Sequence, residues 1–312
     1  MKRCAQILTL FVCLSIAACS GADRAKEAEP VKAPIAWKSF SLPDYRSIFQ
    51  LRVPTPASGW AAGERGAILA YDGKSWRPVP GPTAEQLFSM CFPAADRGFA
   101  AGSRGTIISY DGGRWAQEAT GVEWDIMDLF FYKREQAWAV GENSVILRRD
   151  AAGWSVVSAP RAGYLTRVFF VAQNDGWAVG NNGLIFHYDG SSWQEAPSPT
   201  GENLYGLYFV SARDGWAVGS AGTILRYQGE TWGRYKSPVA NHLLALHFDP
   251  KGRGWAVGAS GVVITCHNGV WKEVPSPSKK ALYTVTTDDK NNVWVAGKGG
   301  KIYQLPHDSI PE

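Results

Sequence analysis

The residues best able to do chemistry are Asp125, Asp128, Tyr164 and Arg167. Cleaving a glycosidic bond takes two carboxylates roughly 5–9 Å apart, or a tyrosine nucleophile with an acid and an arginine clamp. Asp128 and Arg167 stand 39 residues apart, and Gln50, Ser89, Gly206, Ala245 and Thr284 complete the same series. The simplest expectation for Asp128 and Arg167 is an ion pair lining a central channel, not a catalytic site. The five histidines offer no metal-ligand spacing: His242 and His247 are expected on opposite faces of a strand, and His187, His267 and His307 are scattered. No glycine-rich phosphate loop precedes a helix, so neither cofactor nor metal is expected. Cys91 and Cys266 read as small buried residues.

The 39-residue spacing extends along the chain. An aromatic recurs at Trp60, Phe99, Trp138, Trp177, Trp216, Trp255 and Trp294, with glycine three residues later each time. A second glycine follows three further on, replaced only by Ser144. A second tryptophan stands sixteen after the first aromatic, at Trp76, Trp115, Trp154, Trp193, Trp232 and Trp271. Such self-similarity marks a repeat architecture. The glycines exclude helical repeats, and the intervening Val, Ile, Tyr, Phe and Trp suit short strands. In the fifth unit, strands are expected at 204–210, 216–219, 223–227 and 231–235. Four strands per unit make a propeller blade.

The fold expected is therefore all-β, a seven-bladed propeller of four antiparallel strands per blade. Trp294 lacks its second tryptophan, because Ile310 stands sixteen residues on. Trp37 lies 23 residues before Trp60, the interval that separates Trp76 from Phe99. The N-terminus should thus supply the outer strand of the last blade, over about 36–42, and close the ring. Thirteen of the fourteen tryptophans fall in register, and Trp124 alone does not.

The first residues read as an address. Lys2 and Arg3 precede an apolar run that ends Ile16-Ala17-Ala18-Cys19, the pattern of a secretory leader. It resembles the bacterial lipobox, in which the cysteine becomes a lipid-bearing N-terminus. Residues 1–18 are expected to be a lipoprotein signal peptide, 19–35 a flexible polar tether, 36–305 the propeller and 306–312 a C-terminal tail. With Ser20 after the cysteine, the expected location is the outer membrane, facing the periplasm. The net charge of +4 falls to +2 once Lys2 and Arg3 are removed, too little to argue for nucleic acid.

The repeat G-W-A-V-G-x-x-G with Tyr-Asp-Gly turns at Tyr71-Asp72-Gly73, Tyr110-Asp111-Gly112 and Tyr188-Asp189-Gly190 resembles the BNR-like, Asp-box-related propellers of the photosystem II assembly and stability factor family. The resemblance spans about 36–305. It implies a seven-bladed, extracytoplasmic and often lipid-anchored protein that acts as a non-enzymatic scaffold in membrane-protein assembly, with an arginine-rich patch on one face. A WD40 reading is weaker, because Trp124-Asp125 is out of phase. The repeat places Arg46, Arg65, Arg104, Lys280 and Lys298, with Lys279, on one side of the rim formed by the starts of the innermost strands and the loops between the paired glycines. Glu64 and Glu85 offset them in part. Tyr164, Asn181, Asn182, Asn203, Ser220, Asn241 and His242 fall on the other side. Trp124 is the expected aromatic anchor. The function expected is protein binding by a monomeric scaffold for a membrane or envelope complex. The alternative is a carbohydrate- or peptidoglycan-binding or sialidase-like propeller.

Overall fold

The computed structural model describes residues 35–42, 44, 46–132 and 136–310. Cys19 and the leader lie outside them. Seven four-stranded antiparallel sheets form seven blades, six of them built from four consecutive strands. In blade five these are Leu204–Ser211, Asp214–Gly219, Ile224–Tyr227 and Trp232–Tyr235. The last blade is composite. Its strands Leu282–Thr287, Val293–Gly297 and Lys301–Leu305 are joined by Lys38–Ser41 from the N-terminus. Four residue pairs, from Lys38 with Gln304 to Ser41 with Lys301, make that ladder.

Aromatic rings pack across most of the seams between neighbouring blades. Trp216 of blade five faces Phe248 of blade six at 5.8 Å and meets Trp271 edge-on at 5.7 Å. Offset and edge-to-face rings suit the aromatic quadrupole, beyond the large apolar area they bury. The ring closes by the same device. Trp294 of the last blade meets Tyr71 and Trp76 of blade one at 5.3 and 6.3 Å, and Phe40 of the N-terminal strand stacks on it at 5.5 Å. Trp37 packs in the cluster around Trp255 and donates its indole N–H to the Pro275 carbonyl at 3.0 Å.

The first glycine of each pair allows a close approach. In blade one the loop amide of Glu64 donates to the Ser47 carbonyl at 3.0 Å, and a Cβ on Gly63 would sit 2.1 Å from that oxygen. Residues His307–Ser309 form a 3-10 turn, the His307 amide donates to Asn292 Oδ1, and Ile310 packs on the core cluster that holds Trp37. Ile35, assigned to the tether, packs there too.

Candidate functional site

The loops between the paired glycines are fixed to the starts of innermost strands, their own and the next blade's. In blade two the Arg104 amide donates to Asp125 Oδ1 and the Gly105 amide to the Trp124 carbonyl, both at 2.9 Å. In blade four the Asn182 amide donates to Asn203 Oδ1, and in blade five the Ala221 amide donates to His242 Nδ1. The middle residue of these loops is left-handed, with φ 53° at Arg65 and 55° at Arg104. A left-handed residue throws its side chain out from the turn, and both arginines are exposed.

These contacts gather the basic residues on one sector of the rim. Arg46 Nη1 donates to the Arg65 carbonyl at 3.4 Å. Lys280 lies over Gly299, next to Lys298: a Cβ on that glycine would stand 2.7 Å from Nζ. Some of the charge is already used. Arg46 pairs with Asp44 at 2.5 Å and holds that carboxyl below its ordinary range. Arg104 reaches Glu85 at 3.6 Å, and Glu64 accepts from the Ser47 amide. Among the described residues no ion pair engages Arg65, Lys280 or Lys298. Trp124 borders this sector and is 48% exposed, whereas the other tryptophans are buried or half-buried.

Inside the rim stands an apolar collar that the residue types alone did not single out. The position after the first residue of the innermost strand supplies Phe49, Phe88, Met127, Tyr205, Leu244 and Tyr283 in six blades, all half-buried, and the buried Thr166 in blade four. Phe49 lies between Phe88 and Tyr283, at 5.6 Å from each. A register shift at the start of every innermost strand passes over this residue in the ladder. Extra residues of that kind re-aim side chains. The 39-residue spacing itself was the signal that could have found the collar.

Below the collar lies a cavity of about 280 Å³, with Gln50, Asp128, Arg167 and Thr284 in its wall. The expected ion pair is not made. Asp128 is buried and accepts from Ser89 Oγ at 2.7 Å and from the Val168 amide at 3.0 Å, while Arg167 donates to the Thr166 carbonyl at 2.8 Å. The carboxylate binds across two blade seams instead, because a neighbouring serine and a free backbone amide satisfy it without ordering a long side chain.

The other candidates are engaged separately as well. Tyr164 donates to Met127 Sδ at 3.0 Å, and burial, with Asp125 and Glu142 nearby, raises its hydroxyl above the ordinary range. Asp125 serves the Arg104 amide. His242 sits at the rim and His247 in the cavity wall, where burial, with Arg52 beside it, lowers its imidazole to about 3. Cys91 and Cys266 are free thiols that burial pushes up to about 12 and about 11. Cys91 is half-buried, not enclosed as expected.

No family model matches the sequence, and no curated protein matches it. Among solved structures, the chain is similar to YCF48 bound to D1 peptide, at 17% identity and TM-score 0.73, covering 90% of this chain and all of that one. YCF48 from Cyanidioschyzon merolae aligns over 88% of this chain with the same identity and score. A catalytically inactive virginiamycin B lyase from Staphylococcus aureus with quinupristin gives 15% identity and TM-score 0.77, over 87% of this chain and 99% of its own. At these identities the likeness is one of fold, and the fold is a seven-bladed β-propeller.

Proposed function

We propose that the chain is a non-enzymatic, protein-binding propeller, held at the envelope by lipid on Cys19, that serves the assembly or maintenance of a membrane or envelope complex. It would act from the outer membrane, facing the periplasm. The observation that carries this reading is Trp124, an exposed indole whose backbone is clamped to the Arg104 loop beside a basic sector and an apolar collar. Rigid aromatics next to arginines suit the centre of a protein interface, since little side-chain freedom is lost on docking. YCF48, of the same fold, is known with a D1 peptide bound. A segment of another protein, acidic with apolar side chains, is the kind of partner this face fits. The engagement of Asp128 and Tyr164 within the wall favours binding over hydrolysis.

The test is co-purification after crosslinking in the native host. Arg65→Glu with Arg104→Glu should lower recovery of the captured proteins, most strongly at low salt, where charge steering acts. Trp124→Ala should lower it at any salt, and Asn182→Glu should leave it unchanged. Melting curves should shift by less than about 0.5 kcal/mol equivalent in every variant, as expected for exposed loop positions. Equal recovery from wild type and the double reversal would remove the basic sector from the interface.

A further inference from the structure

The cavity wall has a second tier, one alternation below Asp128 and Arg167. Repeat spacing puts Arg52, Cys91, Phe130, Phe169, Tyr208, His247 and Thr286 there, and all but Cys91 line the 280 Å³ cavity. The aromatics form an unbroken arc over blades three to six. Phe130 meets Phe169 at 4.9 Å, Phe169 meets Tyr208 at 5.2 Å, and Tyr208 meets His247 at 5.3 Å. Arg52 projects from blade one, in the gap of that arc, and Arg167 from blade four.

Neither guanidinium has a carboxylate partner among the described residues. Arg52 Nη1 donates to the Leu51 carbonyl at 3.4 Å. With its amide oxygen turned to face it, Gln50 accepts from Nη1 at 2.6 Å and Nη2 at 3.2 Å. Arg167 has the Thr166 carbonyl. These acceptors are neutral: they aim the two forks and leave the charge in place. A guanidinium keeps its charge even when enclosed, and enclosing it without a counter-ion is costly. Asp128 is the one carboxylate in the lining, and its oxygens are taken by Ser89 and Val168. His247 is neutral at physiological pH. The cavity therefore carries a surplus of one positive charge against an aromatic wall.

We propose that the channel is a binding site for a small monoanionic organic carboxylate, its charge held by Arg52 and Arg167 and its apolar body laid against Phe130, Phe169 and Tyr208. Planar forks match a carboxylate in geometry as well as charge. Such a ligand would neutralise the surplus and use the aromatic arc, which chloride or a hydrated cation would not.

Calorimetric titration of the purified full chain with benzoate tests this directly, with benzylamine and benzyl alcohol as cationic and neutral counterparts at matched ionic strength. Benzoate should bind one to one and the counterparts should give no saturable heat. Arg52→Gln and Arg167→Gln should each weaken benzoate roughly tenfold or more, the worth of one charge-assisted hydrogen bond, and together abolish it. Arg77→Gln, on the outermost strand of blade one, should bind as wild type does. Melting without ligand controls for folding and should hold or rise in the double variant, since two half-buried cations are removed. No saturable benzoate binding by wild type, equal binding by the double variant, or equal binding of benzyl alcohol would each overturn the proposal. Partner capture at the rim is a separate readout, so this site and the rim stand or fall independently.

Discussion

Each Tyr-Asp-Gly turn hangs on one carboxylate oxygen. Asp72 Oδ1 accepts from the Lys74 and Ser75 amides, Asp111 Oδ1 from Gly113 and Arg114, and Asp189 Oδ1 from Ser191 and Ser192. The Ser75 and Arg114 amides are the main causes that lower the first two carboxyls, and the Ser191 hydroxyl, then the Ser192 and Ser191 amides, lower the third to about 2. A carboxyl that ionises more readily when folded stabilises the fold above the ordinary value of 3.8 and loses that contribution as pH falls through the folded value. Melting temperature should therefore drop between pH 4 and about 2. Asp72→Asn, Asp111→Asn and Asp189→Asn combined should flatten that drop, because the amide oxygen accepts at every pH. Thermal melts of both proteins across this range decide it, and parallel curves would count against it. The turns were legible in the sequence because an Asx turn is local chemistry. The channel wall was less so. Repeat spacing aligned Asp128 with Arg167, but it could not say that a serine on one neighbouring blade and an amide on the other would reach the carboxylate first.

At the scale of the strand, the closing ladder between Lys38–Ser41 and Lys301–Leu305 was foretold by the 23-residue interval from Trp37 to Trp60. An interval carries across the termini because each blade must present the same ring to its neighbour. Removing residues up to 42 should unpair that edge and strip Phe40 from Trp294 and Trp37 from the Trp255 cluster. The lost burial is worth about 2–3 kcal/mol for each large side chain. Calorimetry should show a lower melting temperature, or aggregation through the bared edge. Unchanged melting would mean that the last blade stands on three strands. The turn at His307–Ser309 was not foreseen, since it breaks the repeat pattern and only three-dimensional proximity brings Ile310 beside Trp37.

Over the whole molecule, the ring turns one-dimensional periodicity into a surface. Residues 39 apart become neighbours, so Lys298, Arg65 and Arg104 share one sector although more than 190 residues separate the ends of that series. The rim's residues could be assigned from the sequence for this reason, but not their pairing, which depends on side chains such as Asp44 and Glu85 reaching across loops. If Cys19 bears the acyl chains, Cys19→Ser should move the protein to the soluble fraction or stall its processing, with melting unchanged. Labelling with a fatty-acid analogue reads this out, and an unlabelled wild type would refute the anchor. The composite blade has a mechanical side as well. The strand that shuts the ring is also the first strand of the domain, so a pull exerted through the N-terminal segment meets Ile35 and Trp37, packed beside Trp255, and then those four residue pairs. Drawn sideways, the pairs would open in succession like a zipper; drawn along the strand, they would share the load and yield together. The outer edge of the last blade is thus where tension would be borne, and the direction of the pull sets how much of it the ring withstands.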